Sequence, residues 1–588
     1  MTRSRILLSA TALCVAAAVT VGCGKHVPQP ADGGPPPTPE YRLKPLAGRT
    51  FGNCSPGELQ SLLAPYKRPE MMALGGSVFN GISSLQINWW LADWSPTAQV
   101  ARALNNVPSG PIPGFNLPSY PDYGARPYDP DTFRLGLDLE TTNLKGLPEA
   151  VRRQGKLMTS FETHKPADGR PFNDNLAFGG AAIEDLLYGT PTDYRRRLRA
   201  ISMRAGKTYG ELREDAIKVD GMIAAGRAAA PLIPIFYAEN SSFVLDPTHN
   251  ACISEMTPLD QTLLRQPKRL LLGVGSNSGL FTFLINGQPV DEVCRDSSFT
   301  FGADVVEWTR YVSILETAER EFLTNMQKLF DRLLAEGTGI ERVYVLGQLR
   351  PSSVANLKPI GAVYPGLGKY YDQYEIDFAP TGSRIVSGAL VRQADELNHR
   401  INLALKAKVE ALNGRTRTRF VFVDLEPISD RSDFKHTGKR DQQYIVTGRD
   451  LNGLTHEVPL DNRTLEFYRH EERLADGTSA GQRLRQGGLF SIDNLHPTVV
   501  GYSALANGIL DAIRDEEKFA FAPGAREIVR EQALYAHYSE NDGNVLRRVD
   551  RTMASRRDWL QGAFDLAATV LRTRQLDCLP QRRTGDGK

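Results

Sequence analysis

The sequence predicts an α/β fold built on a parallel sheet. Short apolar runs recur along the chain, and each has the length of a buried strand. The runs are Met71–Leu74, Leu176–Phe178, Leu270–Val274, Val343–Leu346 and Phe420–Val423. Long amphipathic segments separate the last three runs, roughly over Val306–Glu336 and Val386–Leu412. Crossovers of that length are typical of parallel strands in a sheet that is covered on both faces.

Composition favours a globular enzyme over a nucleic-acid-binding protein. The chain has 588 residues and 41% hydrophobic content, which is ample for a buried core. Its 70 Lys and Arg residues balance 68 Asp and Glu residues, and no long block carries a single sign of charge. A nucleic-acid surface is therefore not expected.

The N-terminus resembles an export signal. Arg3 and Arg5 precede the apolar run Ile6–Val21, which is shorter than the ~20 residues of a membrane-spanning helix. We therefore expect a signal peptide over residues 1–22. The run ends just before Cys23, in a pattern that resembles the bacterial lipoprotein box, so lipid attachment to Cys23 is expected. Simple cleavage of the signal is the alternative.

The rest of the chain divides by composition. Residues 23–48 are rich in Pro and Gly and suit a tether between a membrane anchor and a folded domain. The domain itself is expected over residues 49–515, and a helical C-terminal region over 516–588. Large loop insertions are expected near 106–170, 190–260 and 429–490. Such insertions beyond the strand ends commonly wall a substrate cleft.

Four cysteines remain once Cys14 is removed with the signal and Cys23 is assigned to lipid. They are Cys54, Cys252, Cys294 and Cys578. Four cysteines in an exported protein allow three pairings. We favour Cys252 with Cys294, which bracket one strand, and Cys54 with Cys578, which lie near the two ends of the folded region. No closely spaced Cys and His cluster predicts a metal site.

An acid and a histidine near the C-terminus have the spacing of a catalytic base and its partner. Asp493 stands three residues before His496, on a short segment that leads into a helix-like run from Val499 to Asn507. A carboxylate in this position can hold one imidazole nitrogen while the other faces a cleft. The remaining histidines, His436 among them, are expected to be structural, since no such neighbour accompanies them.

A candidate nucleophile lies far upstream. The apolar run Met71–Leu74 breaks into Gly75-Gly76-Ser77, and two glycines allow a sharp turn at the carboxyl end of a strand. Open α/β sheets bind their ligands at that edge. Two more segments follow apolar runs and end in glycine or asparagine, Asn175–Ala182 and Arg269–Ser278, and they are candidates for oxyanion donors.

Four such segments in the order Ser, Gly, Asn and Asp-x-x-His resemble the SGNH hydrolases, also called the GDSL esterase and lipase superfamily. The resemblance runs from about residue 70 to about residue 515. It implies Ser77 as nucleophile, His496 as base and Asp493 as the residue that orients the base. It also implies an oxyanion hole formed by the backbone N–H groups of Ser77 and Gly180 and the side-chain amide of Asn277.

The resemblance also implies a flavodoxin-like three-layer sandwich, with a five-stranded parallel sheet in the order 2-1-3-4-5. Two positions depart from the usual pattern of the family. Gly76 and Ser278 stand where its members usually have Asp. Neither position belongs to the implied triad, although Asp at both normally adds hydrogen bonds around the nucleophile loop.

A second serine competes for the same acid and base. Gly477-Thr478-Ser479-Ala480-Gly481 matches the GxSxG pattern, and Asp493 and His496 follow it in the order of the α/β-hydrolases. That elbow requires a preceding strand, whereas a charged segment, Arg469–Asp476, stands there. We therefore interpret Ser479 as a loop residue.

Taken together, these features predict an exported serine hydrolase of the bacterial cell envelope, lipid-anchored to a membrane. It would cleave carboxylic esters, either lipid acyl esters or acetyl esters of small molecules or glycans, without a metal or an organic cofactor. Two alternatives stay open. One is an O-acyltransferase acting on envelope polysaccharide, and the other is a catalytically weak envelope-binding protein, which the departures at Gly76 and Ser278 favour.

Overall fold

The structure is a computed structural model. It describes residues 51, 54–82, 87, 89–107, 111–120, 166, 169–204, 211–212, 214, 218, 232–276, 308–337, 339–363, 369–376, 384–449, 455–464, 466–469, 482–490 and 495–521. The expected signal peptide, the tether, Cys23, Cys294, Cys578, Ser479 and nearly all of the C-terminal region lie outside these residues.

A four-stranded parallel sheet forms the centre of the fold. Its strands are β1 (Met71–Gly75), β2 (Arg269–Gly273), β3 (Arg342–Leu346) and the strand Arg419–Val423, which is β7 in chain order. They lie side by side in that order, with Met71 opposite Arg269, Arg269 opposite Arg342 and Arg342 opposite Arg419. Four of the five predicted strands are confirmed in this way.

The fifth predicted strand, Leu176–Phe178, is not a strand among the described residues, and the five-strand order is not confirmed. Asn175 forms only an isolated parallel bridge with Ala73 on the free edge of β1. The Ala73 N–H donates to the Asp174 carbonyl, and the Leu176 N–H donates to the Ala73 carbonyl, both at 2.9 Å. The Phe178 N–H also donates to the Gly75 carbonyl, at 3.3 Å, so the segment runs beside β1 without forming a continuous ladder.

Alternation along the strands buries both faces of the sheet. Met72, Leu74 and their equivalents on the other strands face one core, whereas Met71 and Ala73 face the other. The first core is completed by the long helices Trp308–Glu336 and Gly388–Leu412, and the second by the helices Pro96–Asn105 and Val499–Glu517. Helices therefore cover both sides of a parallel sheet, as the sequence pattern predicts.

The helices are α1 (Pro56–Leu63), α2 (Ser77–Asn80), α3 (Trp89–Asp93), α4 (Pro96–Asn105), α5 (Ile183–Tyr188), α6 (Pro191–Arg204), α7 (Leu232–Leu245), α8 (Pro258–Arg265), α9 (Trp308–Glu336), α10 (Gly388–Leu412), α11 (Glu426–Arg431), α12 (Phe434–Thr437) and α13 (Val499–Glu517). Short 3-10 helices span Pro351–Ser353 and Arg440–Gln442. The remaining strands are β4 (Leu357–Val363), β5 (Tyr371–Ile376), β6 (Arg384–Ser387), β8 (Tyr444–Arg449), β9 (Thr455–Leu460), β10 (Glu466–Arg469) and β11 (Gln482–Gln486).

The described residues also form small antiparallel sheets that are separate from the central parallel sheet. Strands β4, β5 and β6 form one three-stranded sheet between β3 and α10 in the chain. The pairs β8 with β9 and β10 with β11 lie inside the polar region predicted as an insertion at 429–490. Helices α6 and α7 lie within the region 190–260 and pack against each other.

The disulfide prediction was wrong. Cys54, just before α1, is bonded to Cys252, just after α7, with their Cα atoms 5.1 Å apart. Cys54 therefore does not pair with Cys578, nor Cys252 with Cys294. The prediction assumed that a bridge would span a strand or join the chain ends. The fold instead returns the chain after α7 to the N-terminal segment, a proximity that sequence spacing does not reveal.

Within the described ranges, no helix combines the length and apolarity that crossing a bilayer would require. In the same ranges, no group of three or more His, Cys, Asp or Glu side chains is arranged to hold a metal ion.

The observed bridge should stabilise the domain, because it closes a loop of 198 residues and so restricts the unfolded chain. We expect the double change Cys54→Ala with Cys252→Ala to lower the free energy of unfolding by about 2 to 5 kcal/mol in urea titrations. Peptide mapping without reduction checks the connectivity. A peptide that joins Cys252 to Cys294 would contradict this structure.

Candidate active site

Ser77 lies at a tight turn where β1 ends. The strand stops at Gly75, Gly76 serves as N-cap, and Ser77 is the first residue of the one-turn helix α2. Gly81 ends that helix in the left-handed region, with φ of 95°. Ser77 is partly exposed, whereas Phe79 and Asn80 of the same helix are buried. The turn thus presents the serine hydroxyl at the carboxyl edge of the sheet.

The turn depends on close contact between the ends of β1 and β2. The Gly76 N–H donates to the Gly273 carbonyl at 3.3 Å. A Cβ atom on Gly75 would lie 2.5 Å from that same carbonyl oxygen, and one on Gly273 would lie 2.6 Å from the Phe79 ring. Only glycine fits at both positions, so the first glycine serves close approach rather than an unusual backbone angle.

His496 meets Ser77 across the fold. Its Nε2 atom lies 3.0 Å from the Ser77 Oγ atom, although 419 residues separate the two in the chain. The histidine is buried, with 7% of its surface exposed. A buried imidazole in hydrogen-bond contact with a serine hydroxyl is the pairing that activates a serine nucleophile.

Backbone hydrogen bonds hold the loop that carries His496. Thr498 caps α13 through its hydroxyl, its N–H donates to the Leu489 carbonyl at 3.0 Å, and Pro497 forms a bridge with Phe490. The Tyr502 hydroxyl donates to the Ile82 carbonyl, which lies just beyond α2. Helix α13 and its N-cap are therefore bonded to two segments of the site, the chain before His496 at Leu489 and the chain after α2 at Ile82.

The segment that leads to Gly180 is fastened to the serine turn. The Asn175 side chain donates to the Phe79 carbonyl at 2.9 Å, and the Asn80 side chain donates to the Ala177 carbonyl at 2.8 Å. The Phe178 N–H donates to the Gly75 carbonyl at 3.3 Å. Gly180 follows, exposed and with φ of 76°, in the left-handed region that favours glycine.

The N–H groups of Ser77, at the turn, and of Gly180, in the segment fastened to it, are the two predicted backbone donors. Among the hydrogen bonds of the described residues, neither the Ser77 N–H nor the Gly180 N–H donates to another protein group. Backbone N–H groups without a protein acceptor are the kind of donor that can bind a developing negative charge.

Two of the predicted site residues, Asp493 and Asn277, lie outside the described residues, as does Ser278. The described chain stops at Ser276, directly before Asn277, and resumes at Leu495, directly before His496. The structure thus brings Ser77 and His496 together and fastens the Gly180 segment to the same turn, while the roles of Asn277 and Asp493 stay predictions.

A buried chain of polar side chains behind Ser77 was missed from sequence. The Asn80 side chain donates to the Tyr120 hydroxyl at 2.8 Å, and that hydroxyl donates to Asn240 Oδ1 at 2.9 Å. Burial raises the pKa of Tyr120, so the phenol stays protonated and can donate. Asn240 belongs to α7, and the insertion at 190–260 therefore reaches the helix that carries Ser77. No local sequence pattern marks these residues as partners.

Comparison with models of known protein families finds no match for this chain, and comparison with curated protein sequences finds none either. The resemblance to the SGNH hydrolases therefore stays a hypothesis that depends on the residues themselves.

Another Asp-x-x-His pair, Asp433 and His436, lies elsewhere in the fold, and the expectation that His436 lacks an acidic neighbour was wrong. Asp433 Oδ1 lies 2.5 Å from His436 Nδ1, and the Tyr374 hydroxyl lies 2.6 Å from His436 Nε2. Burial lowers the pKa of His436, although the hydrogen bond from its ring to Asp433 acts in the opposite direction. A neutral ring satisfies all three groups when its Nδ1–H donates to Asp433 and Tyr374 donates to Nε2.

Lys435 is buried beside this pair. Its Nζ atom donates to the carbonyls of Val354 and Leu357, at 2.8 and 3.0 Å. Burial lowers its pKa to about 8, although Asp433, Asp395 and Asp461 favour the charged form. Asp395 is also buried, and burial raises its pKa to about 6 despite hydrogen bonds from Ser352 and Tyr370. The cluster lies where β5 and α12 meet. We assign it a structural role, which is to hold the insertion at 429–490 against β5.

The lowered pKa of Lys435 predicts a pH dependence of stability. Between pH 8 and 10 the unfolded chain binds more protons at this residue than the folded chain, so its contribution to stability rises with pH by up to ~1.4 kcal/mol per pH unit. We expect Lys435→Met to remove that slope in urea titrations across this range. Lys406→Met, which removes an exposed lysine, is the matched control. Identical slopes in wild type and Lys435→Met would contradict the assignment.

Proposed function

We propose that this protein is a serine hydrolase that cleaves carboxylic esters, with Ser77 as nucleophile and His496 as general base. The observation that carries the proposal is the 3.0 Å contact between Ser77 Oγ and His496 Nε2 at the carboxyl edge of the sheet. A serine hydroxyl is a weak nucleophile unless a neighbouring base accepts its proton, and this contact supplies that base.

The reaction then follows from the pair. His496 Nε2 takes the Ser77 proton as Oγ attacks the ester carbonyl, and the resulting imidazolium returns the proton to the departing alcohol. The product of this first half is an acyl-enzyme on Ser77. Water replaces the alcohol, gives its proton to His496 and releases the acid, while Ser77 recovers its hydrogen. No cofactor takes part in these steps.

Three donors would hold the oxyanion of each tetrahedral intermediate. We assign them to the N–H groups of Ser77 and Gly180 and to the side-chain amide of Asn277. The first two belong to segments joined by the bond from the Phe178 N–H to the Gly75 carbonyl, which supports their action on one carbonyl oxygen. Asp493, three residues before His496, is assigned to orienting the imidazole ring.

The finer fold assignment belongs to the same proposal. The segment Asp174–Phe178 runs beside β1 on the edge opposite β2, where the second strand of the 2-1-3-4-5 order would lie. We therefore propose a flavodoxin-like sheet in which this strand is reduced to a single bridge. Export with a lipid anchor at Cys23, which would bring the enzyme to ester substrates at the cell envelope, completes the proposal.

The serine assignment is tested by setting Ser77 against Ser479. We expect Ser77→Ala to abolish both esterase activity and labelling by a fluorophosphonate probe, because the probe reacts only with an activated serine. His496→Ala should have the same effect on both. Ser479→Ala is the matched control, and we expect it to leave activity and labelling nearly unchanged, since it removes a serine outside the observed pair.

The opposite pattern, an essential Ser479 with a dispensable Ser77, would overturn the assignment. Wild-type protein that resists the probe would favour the envelope-binding alternative. An acylated sugar formed when a polysaccharide acceptor replaces water would favour the acyltransferase.

The third oxyanion donor has its own kinetic signature. Because a side-chain donor acts on the transition state, Asn277→Ala should lower kcat by roughly 10² to 10³-fold with little change in KM. Steady-state kinetics on a short-chain ester measures both constants. A change confined to KM would instead identify Asn277 as a substrate-binding residue.

A further inference from the structure

Tyr120 links the helix that carries Ser77 to the insertion at 190–260. Its hydroxyl accepts a hydrogen from Asn80 Nδ2 at 2.8 Å and donates its own hydrogen to Asn240 Oδ1 on α7 at 2.9 Å. All three side chains are buried. The hydroxyl therefore has a fixed orientation, because inside the protein neither bond can be exchanged for a bond to water.

The bonds of Asn80 determine how its carboxamide is oriented. Nδ2 donates its two hydrogens to the Tyr120 hydroxyl and to the Ala177 carbonyl, both at 2.8 Å. A reversed carboxamide would place Oδ1 against the Ala177 carbonyl oxygen with no hydrogen between the two acceptors. Oδ1 itself has no hydrogen-bond partner among the described residues. The two bonds of Nδ2 therefore decide the orientation of this side chain.

Helix α7, at the other end of this chain of bonds, is also fastened to the segment that holds Ala177. The Asn173 side chain donates to the Val244 carbonyl of α7 at 2.8 Å. Asn173 and Ala177 belong to the same short segment before Gly180. The hydrogen bonds thus form a closed path, from α2 through Tyr120 and α7 to this segment and back to α2. Directional bonds arranged in this way restrict the movement of α2 relative to the segment.

A movement of Asn80 would reach Ser77 within one helical turn. The Asn80 N–H donates to the Gly76 carbonyl at 3.1 Å, and the Gly81 N–H donates to the Ser77 carbonyl at 3.0 Å. These bonds make α2 a single turn with Ser77 at its first position. The same turn places Ser77 Oγ 3.0 Å from His496 Nε2. A displaced turn would therefore misalign the contact through which the serine gives up its proton.

We propose that Tyr120 is a positioning residue, whose hydroxyl holds the Asn80 carboxamide and thereby fixes the turn that carries Ser77. The turn then keeps its alignment with His496 and with the Gly180 segment. This inference rests on the proposed esterase function. Displacing a catalytic group by about 1 Å can cost roughly 10²-fold in rate, so a residue outside the site that fixes this turn affects the rate of the chemical step.

The test is Tyr120→Phe, which removes only the hydroxyl and keeps the ring beside Phe243, where the ring centroids lie 5.6 Å apart. We expect kcat on a short-chain ester to fall about 10-fold with KM changed by less than about twofold, because a shifted serine affects the transition state more than substrate binding. Labelling by the fluorophosphonate probe should slow by a similar factor, since it requires the same activated serine.

A double-mutant cycle tests whether Tyr120 acts through Asn80. Asn80→Ala removes the carboxamide and should itself lower kcat. Tyr120→Phe in that background should cost about twofold or less, because the group that the hydroxyl holds is already absent. Asn240→Leu, which removes the acceptor of the Tyr120 hydroxyl, provides a second variant should Tyr120→Phe prevent folding. It should also lower kcat and leave KM nearly unchanged.

Tyr344→Phe is the matched control. Tyr344 is also buried, and its hydroxyl donates to Glu517 Oε1 at 2.6 Å. Arg269, the first residue of β2, binds the same carboxylate, so this contact lies at the amino edge of the sheet, opposite the edge that carries Ser77. Tyr344→Phe should lower the melting temperature as Tyr120→Phe does and leave kcat unchanged.

Two results would overturn the inference while leaving the esterase intact. The first is an unchanged kcat in the folded Tyr120→Phe and Asn240→Leu variants, and the second is a full effect of Tyr120→Phe in the Asn80→Ala background. A wild-type protein without Ser77-dependent turnover is a different result, because it removes the proposed function and this role for Tyr120 with it.

Discussion

The candidate site depends on one backbone contact, the approach of the end of β1 to the end of β2. The Gly76 N–H reaches the Gly273 carbonyl there, and neither Gly75 nor Gly273 has room for a side chain. Because the two strands meet so closely, the chain after β1 must turn at once, and Ser77 emerges at the first position of α2. The loop after β2 begins at the same contact. The serine turn and the start of the loop after β2 are therefore fixed by a single strand pair, and a methyl group at either glycine would disturb both.

Buried side-chain bonds to backbone carbonyls extend this control to distant segments. Asn80 and Asn175 join the Gly180 segment to α2, Tyr502 joins α13 to the chain after α2, and Gln348 joins the end of β3 to the loop after β2. Each such bond supplies a donor to a buried backbone carbonyl. Leaving that carbonyl without a donor would cost about 1 to 3 kcal/mol. Loops at the edge of a sheet have few apolar contacts of their own, so these directional bonds determine where they lie.

The sequence predicts the strands that carry a strong local signal. It does not predict contacts between segments that are distant in the chain. The apolar runs at β1, β2, β3 and β7 could be read because strands buried on both faces are continuously apolar. Leu176–Phe178 is equally apolar, yet the segment has only the isolated bridge of Asn175 with Ala73. Local apolarity therefore does not establish that a segment pairs as a strand. The bond between Cys54 and Cys252 and the chain from Asn80 to Asn240 join residues with no common pattern, so neither could be predicted.

Asp-x-x-His occurs three times in the chain, ending at His249, His436 and His496, and the last two show what distinguishes a candidate base from a structural histidine. At His436, Asp433 holds Nδ1 and Tyr374 occupies Nε2, so both ring nitrogens are engaged inside the protein. At His496, Nε2 meets the hydroxyl of a partly exposed serine at the edge of the parallel sheet. The spacing of acid and histidine is the same in both, and it therefore carries no functional information alone. Function depends on the partner of the second nitrogen, and that partner lies 419 residues away for His496 and 62 residues away for His436. A catalytic base is useful only when the group that gives it a proton can then attack a substrate. Ser77 is partly exposed and meets this condition, whereas Tyr374 is fully buried and does not.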